Sequence, residues 1–308
     1  MLLYVCFFAI PAFCAGAGAS GKNINLIQAA EKGILADVQS AINDGADVNA
    51  MTTKKYEGIF GKEVNALMLA AENGHIEVVK VLLNKGALVN IQRVPDNVTA
   101  LMLAAENGHA EIVKILLDMG ADINAKSNYD GITALMMAAK NGHAGVMKIL
   151  LDKGVDVNAR KTNEKVTALT IAAQNGHTEI VRLLLENGAD INIKKDNDGI
   201  TPLMKAAEKG KKDLVQLLLD KDADVNARSV RGVTALMMAA QNGHTEVVRL
   251  LLAKNANVNA KTKQDEKNDE VTALMMAAQN GHTEIVRLLL EKDAKVNVRT
   301  NSDDTNAL

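Results

Sequence analysis

The sequence predicts an all-α repeat solenoid, and two observations support this prediction. The first is a recurring Ala-Leu pair, which is Pro-Leu in one copy. Its leucines are Leu67, Leu101, Leu135, Leu169, Leu203, Leu236 and Leu274, at steps of 34, 34, 34, 34, 33 and 38 residues. A weaker copy at Leu26 precedes them, so we number the copies from there as repeats 1 to 8. A nearly fixed period of this length is typical of repeat architectures.

The second observation is that each unit encodes two short helices, as repeat 7 illustrates. Thr234 is a good N-cap for a first helix of Ala, Leu and Met, and Asn242-Gly243 ends it because Gly accepts the left-handed conformation. A second helix is expected from about Thr245 to Lys254. Its apolar face holds Val247, Val248, Leu251 and Leu252, and Glu246 and Arg249 point outward. Because two short helices cannot bury their apolar faces alone, the units must stack.

Composition excludes several classes of function. The apolar fraction is 48% and the charged fraction 23%, as in a soluble globular protein. Aromatic residues are only 2% and Trp is absent, which argues against base stacking or an aromatic sugar platform. A formal net charge of -2 argues against a strongly basic nucleic-acid binder.

The residues that usually carry chemistry have structural explanations here. Cys6 and Cys14 are the only cysteines, so the repeats have no disulfide, thiol nucleophile or thiolate metal site. Six histidines each follow a Gly in the turn between the two helices, and we expect their imidazoles to bond backbone groups. They are His75, His109, His143, His177, His244 and His282. Helices of neighbouring repeats lie about 8–10 Å apart, too far for two such histidines to share a zinc ion. We therefore expect no catalytic residue, cofactor or metal.

Two charged patterns also have simple interpretations. Asn128-Tyr129-Asp130-Gly131 resembles part of a calcium loop, but Lys126 occupies the first ligand position, so we expect a turn. A column of cations on the second helices follows glutamates at i,i+3 in most repeats, which predicts a solvated outer face rather than an anion-binding stripe. The column contains Lys80, Lys114, Lys148, Arg182, Arg249 and Arg287.

The N-terminus has the pattern of a secretory signal peptide. Residues 2–10 are apolar, small residues follow Pro11, and Ala17-Gly18-Ala19 fits a cleavage site before Ser20. We predict a signal peptide over residues 1–19 and export to the periplasm or the extracellular space. No charged side chain precedes Lys22, so a retained membrane anchor remains the main alternative. Lipid attachment at Cys14, after the bulky Phe13, is a further alternative, and N-terminal sequencing would distinguish these forms.

The unit resembles the ankyrin repeat. Repeat 6 carries Thr201-Pro202-Leu203-Met204-Lys205-Ala206-Ala207, and repeat 5 carries Asn175-Gly176-His177 and Gly188-Ala189-Asp190-Ile191-Asn192. The resemblance covers residues 23 to about 300. It implies antiparallel helix pairs stacked side by side, hairpin-like loops along one edge, and a role in protein–protein interaction. The family's Pro is usually Ala here and its His after the Leu is usually Met, so apolar packing is expected to replace that polar contact between repeats.

Both ends of the repeat domain depart from the pattern. Residues 23–50 are predicted to form a degenerate N-terminal cap, because Asp37 and Ser40 replace the apolar Ile180 and Leu183 of repeat 5. Seven regular repeats are expected over residues 65–300. Residues 301–308 are expected to start a truncated further repeat, because Asn306-Ala307-Leu308 matches the start of repeat 2. An uncovered apolar edge there would favour self-association.

The partner-binding surface is predicted on the first helices. On a helical wheel Met238 lies about 200° from Leu236, so this position should point away from the core. Its occupants are Leu69, Leu103, Met137, Ile171, Lys205, Met238 and Met276. We expect either an apolar groove on the concave face or a row covered by neighbouring helices and loops. Met suits adaptable recognition surfaces.

Two loops are longer than the others. The loop Met51–Val64 holds Tyr56 and Phe60, which either anchor an interface or fold back over the first repeats. The loop Lys261–Glu270 is almost wholly charged. Tyr129 is a third aromatic candidate for partner binding.

Together these features predict an exported scaffold that binds another protein and performs no catalysis. One alternative is a membrane-tethered adaptor. Another is a carboxylate-only hydrolase, which would need two carboxyl groups about 5–9.5 Å apart in a cleft. Most acidic residues recur on outward faces or turns, and the sharpest break in the repeat, Lys205–Lys212, supplies mainly Lys. No nucleic acid is expected as a partner.

Overall fold

A computed structural model describes residues 21–54, 62–162, 166–194, 198–263 and 270–296. Sixteen helices lie within these ranges, two in each repeat. In chain order, the helices α1 to α16 are Gly21–Lys32, Leu35–Asn43, Ala66–Glu72, Ile76–Asn84, Ala100–Glu106, Ala110–Asp118, Ala134–Asn141, Ala144–Asp152, Ala168–Asn175, Thr178–Glu186, Pro202–Glu208, Lys212–Asp220, Ala235–Gln241, Thr245–Ala253, Ala273–Gln279 and Thr283–Leu290. The predicted signal peptide, the predicted start of a further repeat, Tyr56 and Phe60 lie outside the described residues.

The helices form two layers. Each first helix packs against the first helix of the next repeat, from α1 through α15, and the second helices do the same from α2 through α16. Within each repeat the two helices pack on each other. Buried residues from all eight repeats form one hydrophobic cluster that runs the length of the stack. The chain is an all-α repeat solenoid, as predicted.

Local signals set the ends of each first helix. In repeat 7, the Thr234 hydroxyl accepts a hydrogen bond from the Met237 amide at 3.3 Å, and α13 ends where Gly243 takes a φ of 74°. Thr99, Thr133, Thr167, Thr201 and Thr272 cap their helices in the same way. Asn65 replaces Thr in repeat 2 and caps through its side-chain oxygen.

Hairpin-like loops connect the repeats. A backbone bond closes each described neck, for example from the Ser127 amide to the Ile132 carbonyl at 2.9 Å. Neighbouring loops are also joined, because the Asn128 amide donates to the Asp96 carbonyl at 2.8 Å and the Thr162 amide to the Asp130 carbonyl at 2.9 Å. In the first loop two short strands pair antiparallel, β1 (Thr52–Lys54) and β2 (Lys62–Val64). Where the structure describes both partners, backbone bonds therefore join neighbouring loops along one edge of the stack.

Methionines fill the position where the ankyrin motif has His. Met68, Met102 and Met136 are buried in the core. Met204 and Met237 are also buried, whereas Met275 of the last repeat is half-buried. Thr170 of repeat 5 is buried and completes a capping box with Thr167. Apolar packing occupies this position in most repeats, as expected.

All six histidines link neighbouring repeats. His143 Nε2 lies 2.9 Å from the Glu106 carbonyl of the preceding repeat. The imidazole also lies against Gly108, where a Cβ would be 2.7 Å from His143 Nδ1. The other five rings bond the carbonyls of Glu31, Glu72, Lys140, Glu208 and Gln241 at 2.9–3.1 Å. The prediction that these histidines bond backbone groups is confirmed.

The histidine links are interrupted once between regular repeats. Repeat 6 has Lys211 at this position, and its alkyl chain lies on Gly176 of repeat 5, where a Cβ would be 2.8 Å from Lys211 Cε. Among the described residues, the Lys211 side chain makes no hydrogen bond that replaces the imidazole. The interface between repeats 5 and 6 therefore lacks one contact that the neighbouring interfaces have.

A second series of side chains joins the turns after the second helices. The Asn124 side-chain oxygen accepts from the Asp156 amide of the next repeat at 2.9 Å. The equivalent oxygens of Asn49, Asn90, Asn158, Asn192, Asn226 and Asn259 accept from the next repeat at 2.7–2.9 Å. These bonds fix the register of one repeat on the next.

The outer face of the second helices carries exposed ion pairs. Lys80 contacts Glu77 at 2.8 Å and Glu111 of the next repeat at 3.5 Å, and both carboxylates raise the pKa of Lys80. Arg287, which donates hydrogen bonds to Glu284, lowers the pKa of that carboxyl. Arg182 and Arg249 lie 3.6 Å from their i,i+3 glutamates. Acidic neighbours therefore balance most of this column, as predicted.

Two further ion pairs connect the second helices of neighbouring repeats. Lys153 lies 2.7 Å from Asp118 and lowers the pKa of that carboxyl by donating a hydrogen bond to it. Lys254 lies 3.0 Å from Asp220, whose pKa is lowered first by hydrogen bonds from Gln216 and then by Lys254. Exposed pairs of this kind contribute little to stability.

The two end faces of the stack differ in polarity. Asp37 and Ser40 of repeat 1 are exposed, and Ile34 beside them is 42% exposed. In repeat 8, Ala278 is exposed, Val286 is half-buried and Leu290 is 40% exposed. The corresponding residues of repeat 7, which are Ala240, Val248 and Leu252, are buried. The described part of repeat 8 thus keeps apolar side chains on its outer face.

We predict that Lys211→His stabilises the stack. The imidazole would bond the Gln174 carbonyl, and a net hydrogen bond contributes about 1 kcal/mol, which raises the melting temperature by about 2 °C. Circular dichroism melting measures this change. The matched variant His143→Lys removes a link and should lower the melting temperature by a similar amount. An unchanged melting temperature in both variants would show that the links do not stabilise the fold.

Candidate functional site

The predicted outward row of the first helices is only partly accessible. Leu69 and Leu103 are 1% and 2% exposed and belong to the hydrophobic cluster, so the expectation that they point away from the core is wrong. Other side chains of the stack surround them and exclude solvent. Their five counterparts are half-buried: Met137, Ile171, Lys205, Met238 and Met276.

A groove runs over four of the accessible positions, across repeats 4 to 7. It consists of two adjoining cavities of about 560 Å³ and 620 Å³, which share Ile200 and Lys205. Met137 and Ile171 line the first cavity, and Met238 lines the second. Lys205 therefore lies at the centre of an otherwise apolar row.

Helices form the floor of the groove, and loop ends form one wall. Met137, Ile171 and Met238 lie on α7, α9 and α13, each four residues after its capping Thr. The wall residues directly precede a capping Thr, as Ile200 precedes Thr201. They are Ile132, Val166, Ile200 and Val233. Because caps and loop necks fix both sets of side chains, the shape of the groove is set by the repeat itself.

Four charged side chains of the groove form two ion pairs. Lys205 contacts Glu208 at 2.9 Å, and Lys161 contacts Asp130 at 3.9 Å. Lys140 borders the first cavity and Arg231 the second. The described residues contain no group of three or more His, Cys, Asp or Glu side chains that could hold a metal ion. An apolar row bordered by polar and charged side chains suits the recognition of a polypeptide segment.

The wall residues were missed by reasoning from the sequence. The sequence does contain a signal for these residues. Every regular repeat has an apolar residue, either Val or Ile, directly before its capping residue. The residues are Val64, Val98, Ile132, Val166, Ile200, Val233 and Val271. The pattern shows that the position is apolar but not which copies border an open groove.

The loop edge carries exposed large side chains near the groove. Tyr129 is 67% exposed in a turn with a φ of 61°, in agreement with the predicted turn and with its accessibility to a partner. Val230 is 65% exposed and also borders the second cavity. The sequence indicated Tyr129 as a candidate but not Val230.

We predict that the accessible and the buried residues of the outward row differ in their tolerance of a charged side chain. Met137→Glu with Met238→Glu should leave the helical circular dichroism spectrum unchanged, because both side chains reach the groove. Leu69→Glu with Leu103→Glu should lower the melting temperature by more than 10 °C or unfold the chain, because two buried carboxylates would lose their hydration. Equal helicity loss in the two double variants would show that the groove floor is core.

The repeat sequence matches models of a known protein family. A family model for ankyrin repeats matches three times, over residues 26–127, 126–195 and 193–262. A model for a single ankyrin repeat matches residues 269–301. A search among curated proteins finds no match. In the part of the chain that the structure describes, no helix combines the length and apolarity needed to cross a membrane. The matched segments cover most of the sequence, and the chain belongs to the ankyrin repeat family.

Proposed function

We propose that the protein is a scaffold that binds another protein through the groove across repeats 4 to 7. Ankyrin repeats generally mediate protein–protein interaction. The observation that supports this site is the row Met137, Ile171 and Met238, which keeps apolar side chains partly accessible while the same row is buried at Leu69 and Leu103. Exposed loop residues such as Tyr129 and Val230 would extend the contact surface.

Binding is better supported than catalysis. Two of the groove carboxylates, Asp130 and Glu208, each contact a lysine, and this arrangement favours a structural role over proton transfer for them. We therefore propose a function without catalysis, cofactor or metal.

Export is part of the proposal and rests on the sequence alone. Residues 2–10 and the small residues before Ser20 support a cleaved signal peptide and a periplasmic or extracellular location. A retained N-terminal anchor would instead place the same scaffold on a membrane.

We predict that the Met137→Glu and Met238→Glu double variant loses its partner. Two carboxylates in the apolar floor would need dehydration on binding, so affinity should fall at least tenfold. Partners captured from the exported fraction by the wild-type chain are identified by mass spectrometry and then tested by surface plasmon resonance. Leu88→Glu with Met119→Glu, at two exposed apolar residues after the second helices of repeats 2 and 3, is the control and should bind as wild type. If the groove variant binds the identified partner as tightly as wild type does, the groove is not the site.

We also propose self-association through the outer face of repeat 8. Each inner repeat covers the equivalent face of its predecessor, and Ala278 and Leu290 are exposed here. The outer face of repeat 1 carries Asp37, Ser40 and Asp44 beside the exposed Ile34, so it is more polar and a poorer complement for this apolar surface. A second copy would therefore dock through the same face, related by a two-fold axis.

We predict a concentration-dependent dimer that Ala278→Lys with Leu290→Lys makes monomeric. The two lysines would place like charges opposite each other across the two-fold axis. Analytical ultracentrifugation measures the change. Thr178→Lys with Thr245→Lys adds the same charge on the second helices of repeats 5 and 7 and should leave the dimer intact. A weak dimer has a dissociation constant of about 100 μM or less. A wild-type chain that stays monomeric at about 100 μM would therefore contradict the proposal.

A further inference from the structure

Repeat 6 differs from the other regular repeats at four related positions. It carries lysine at each of them: Lys205, Lys209, Lys211 and Lys212. The other six regular repeats carry no charged residue at any of these positions. In repeat 5 they are Ile171, Asn175, His177 and Thr178, and in repeat 7 they are Met238, Asn242, His244 and Thr245. The sister repeats act as internal references, because the same fold is built without these charges.

The four lysines follow one line from the groove floor to the adjoining turn. Lys205 lies on α11 and Lys209 caps its C-terminus in a helical conformation, so the two share a helix face at i,i+4. Lys211 is the N-cap of α12 and Lys212 is its first residue. Lys205 is half-buried at the centre of the groove, and the other three are exposed.

Few acidic side chains neutralise this line. Lys205 contacts Glu208, but within the described residues no ion pair involves Lys209, Lys211 or Lys212. Asp213 follows them on α12 and is exposed. The nearest glutamates on the neighbouring second helices, Glu179 and Glu246, each lie against an arginine. The turn of repeat 6 therefore carries excess positive charge.

Lys209 and Lys211 replace residues that make stabilising hydrogen bonds in the other repeats. Lys211 occupies the place where other repeats have the linking histidine. Lys209 replaces an asparagine whose side chain, in repeat 7, donates to the Met238 carbonyl at 2.8 Å. Two structural hydrogen bonds are thus absent, and like charges are gathered on one turn. A local departure from the structural rule without a gain in stability is typical of a functional site.

We propose that this line of four lysines, the repeat 6 lysine line, binds an acidic segment of the partner protein. The inference rests on the proposed protein-binding function and adds the chemistry of the bound segment. Carboxylates of that segment would contact Lys209, Lys211 and Lys212, while its adjoining apolar residues would enter the groove at Lys205. The lysine line is one repeat wide, about 10 Å. A short acidic peptide segment matches this width.

The test uses the full chain and a labelled ten-residue peptide with two leucines at each end and six central glutamates. Fluorescence anisotropy is expected to show binding that weakens with salt and that a matched glutamine peptide does not reproduce. Replacing the lysine line by the residues of the sister repeats, as Lys205→Met, Lys209→Asn, Lys211→His and Lys212→Thr, should raise the dissociation constant at least tenfold. Because the sister repeats already use these residues, this variant should fold with an equal or higher melting temperature.

The control removes four other exposed lysines, as Lys85→Gln, Lys114→Gln, Lys148→Gln and Lys221→Gln. It has the same net charge change and should shift the dissociation constant less than twofold. Zero-length carbodiimide cross-linking should join the peptide glutamates to Lys209, Lys211 or Lys212, as mapped by mass spectrometry.

Four outcomes would overturn the inference. They are equal binding of the glutamate and glutamine peptides, equal loss of affinity in the two lysine variants, cross-links that map elsewhere, and absence of peptide binding by the wild-type chain. Vesicles with about 30% anionic lipid provide a second assay. If the lysine line binds these vesicles but not the peptide, its ligand is a membrane surface rather than an acidic segment. If the identified partner depends on Met137 and Met238 but not on the lysine line, only this inference fails and the proposed function stands.

Discussion

The structure depends on the burial of each repeat against its neighbours. A pair of helices of seven to nine residues has too little apolar surface to be stable alone, so each regular repeat acquires its core only when the next repeat covers it. The hydrophobic cluster is continuous from repeat 1 to repeat 8 for this reason. Every other feature of the molecule, including the groove, is positioned by this stacking.

Directional contacts convert this nonspecific burial into a fixed geometry. The imidazole of His143 bonds a carbonyl of the preceding repeat and needs a Gly at the contact, because a Cβ would collide with the ring. On the other side of each repeat, asparagines such as Asn124 bond the next turn. Contacts at two ends of each unit prevent both sliding and rotation of one repeat on the next. The groove surface can therefore be rigid although it is assembled from short helices.

Sequence variation among the repeats is concentrated at positions that stacking does not constrain. Positions that face the neighbouring repeat are nearly invariant among the copies, whereas the outward row of the first helices changes from Leu to Met, Ile and Lys along the chain. Lys211 is an exception, because it occupies a stacking position and removes an inter-repeat bond. A scaffold of many equal interfaces can tolerate one weaker interface, since the loss is local. Repeat 6 combines that weaker interface with the charged centre of the groove.

The sequence by itself determined the repeat period, the two helices of each unit, their caps and the structural role of the histidines. These features depend on local residue types and on a pattern repeated many times, so they do not require knowledge of distant contacts. The tertiary structure decided which copies of one repeated position are accessible. Leu69 and Met137 are equivalent on a helical wheel, yet Leu69 is buried and Met137 reaches a groove. A wheel describes one helix, whereas burial depends on the neighbouring repeats and loops that pack over it. The wall formed by Ile200 and its counterparts was hidden for the same reason, because loop ends and helix faces come together only in the stack.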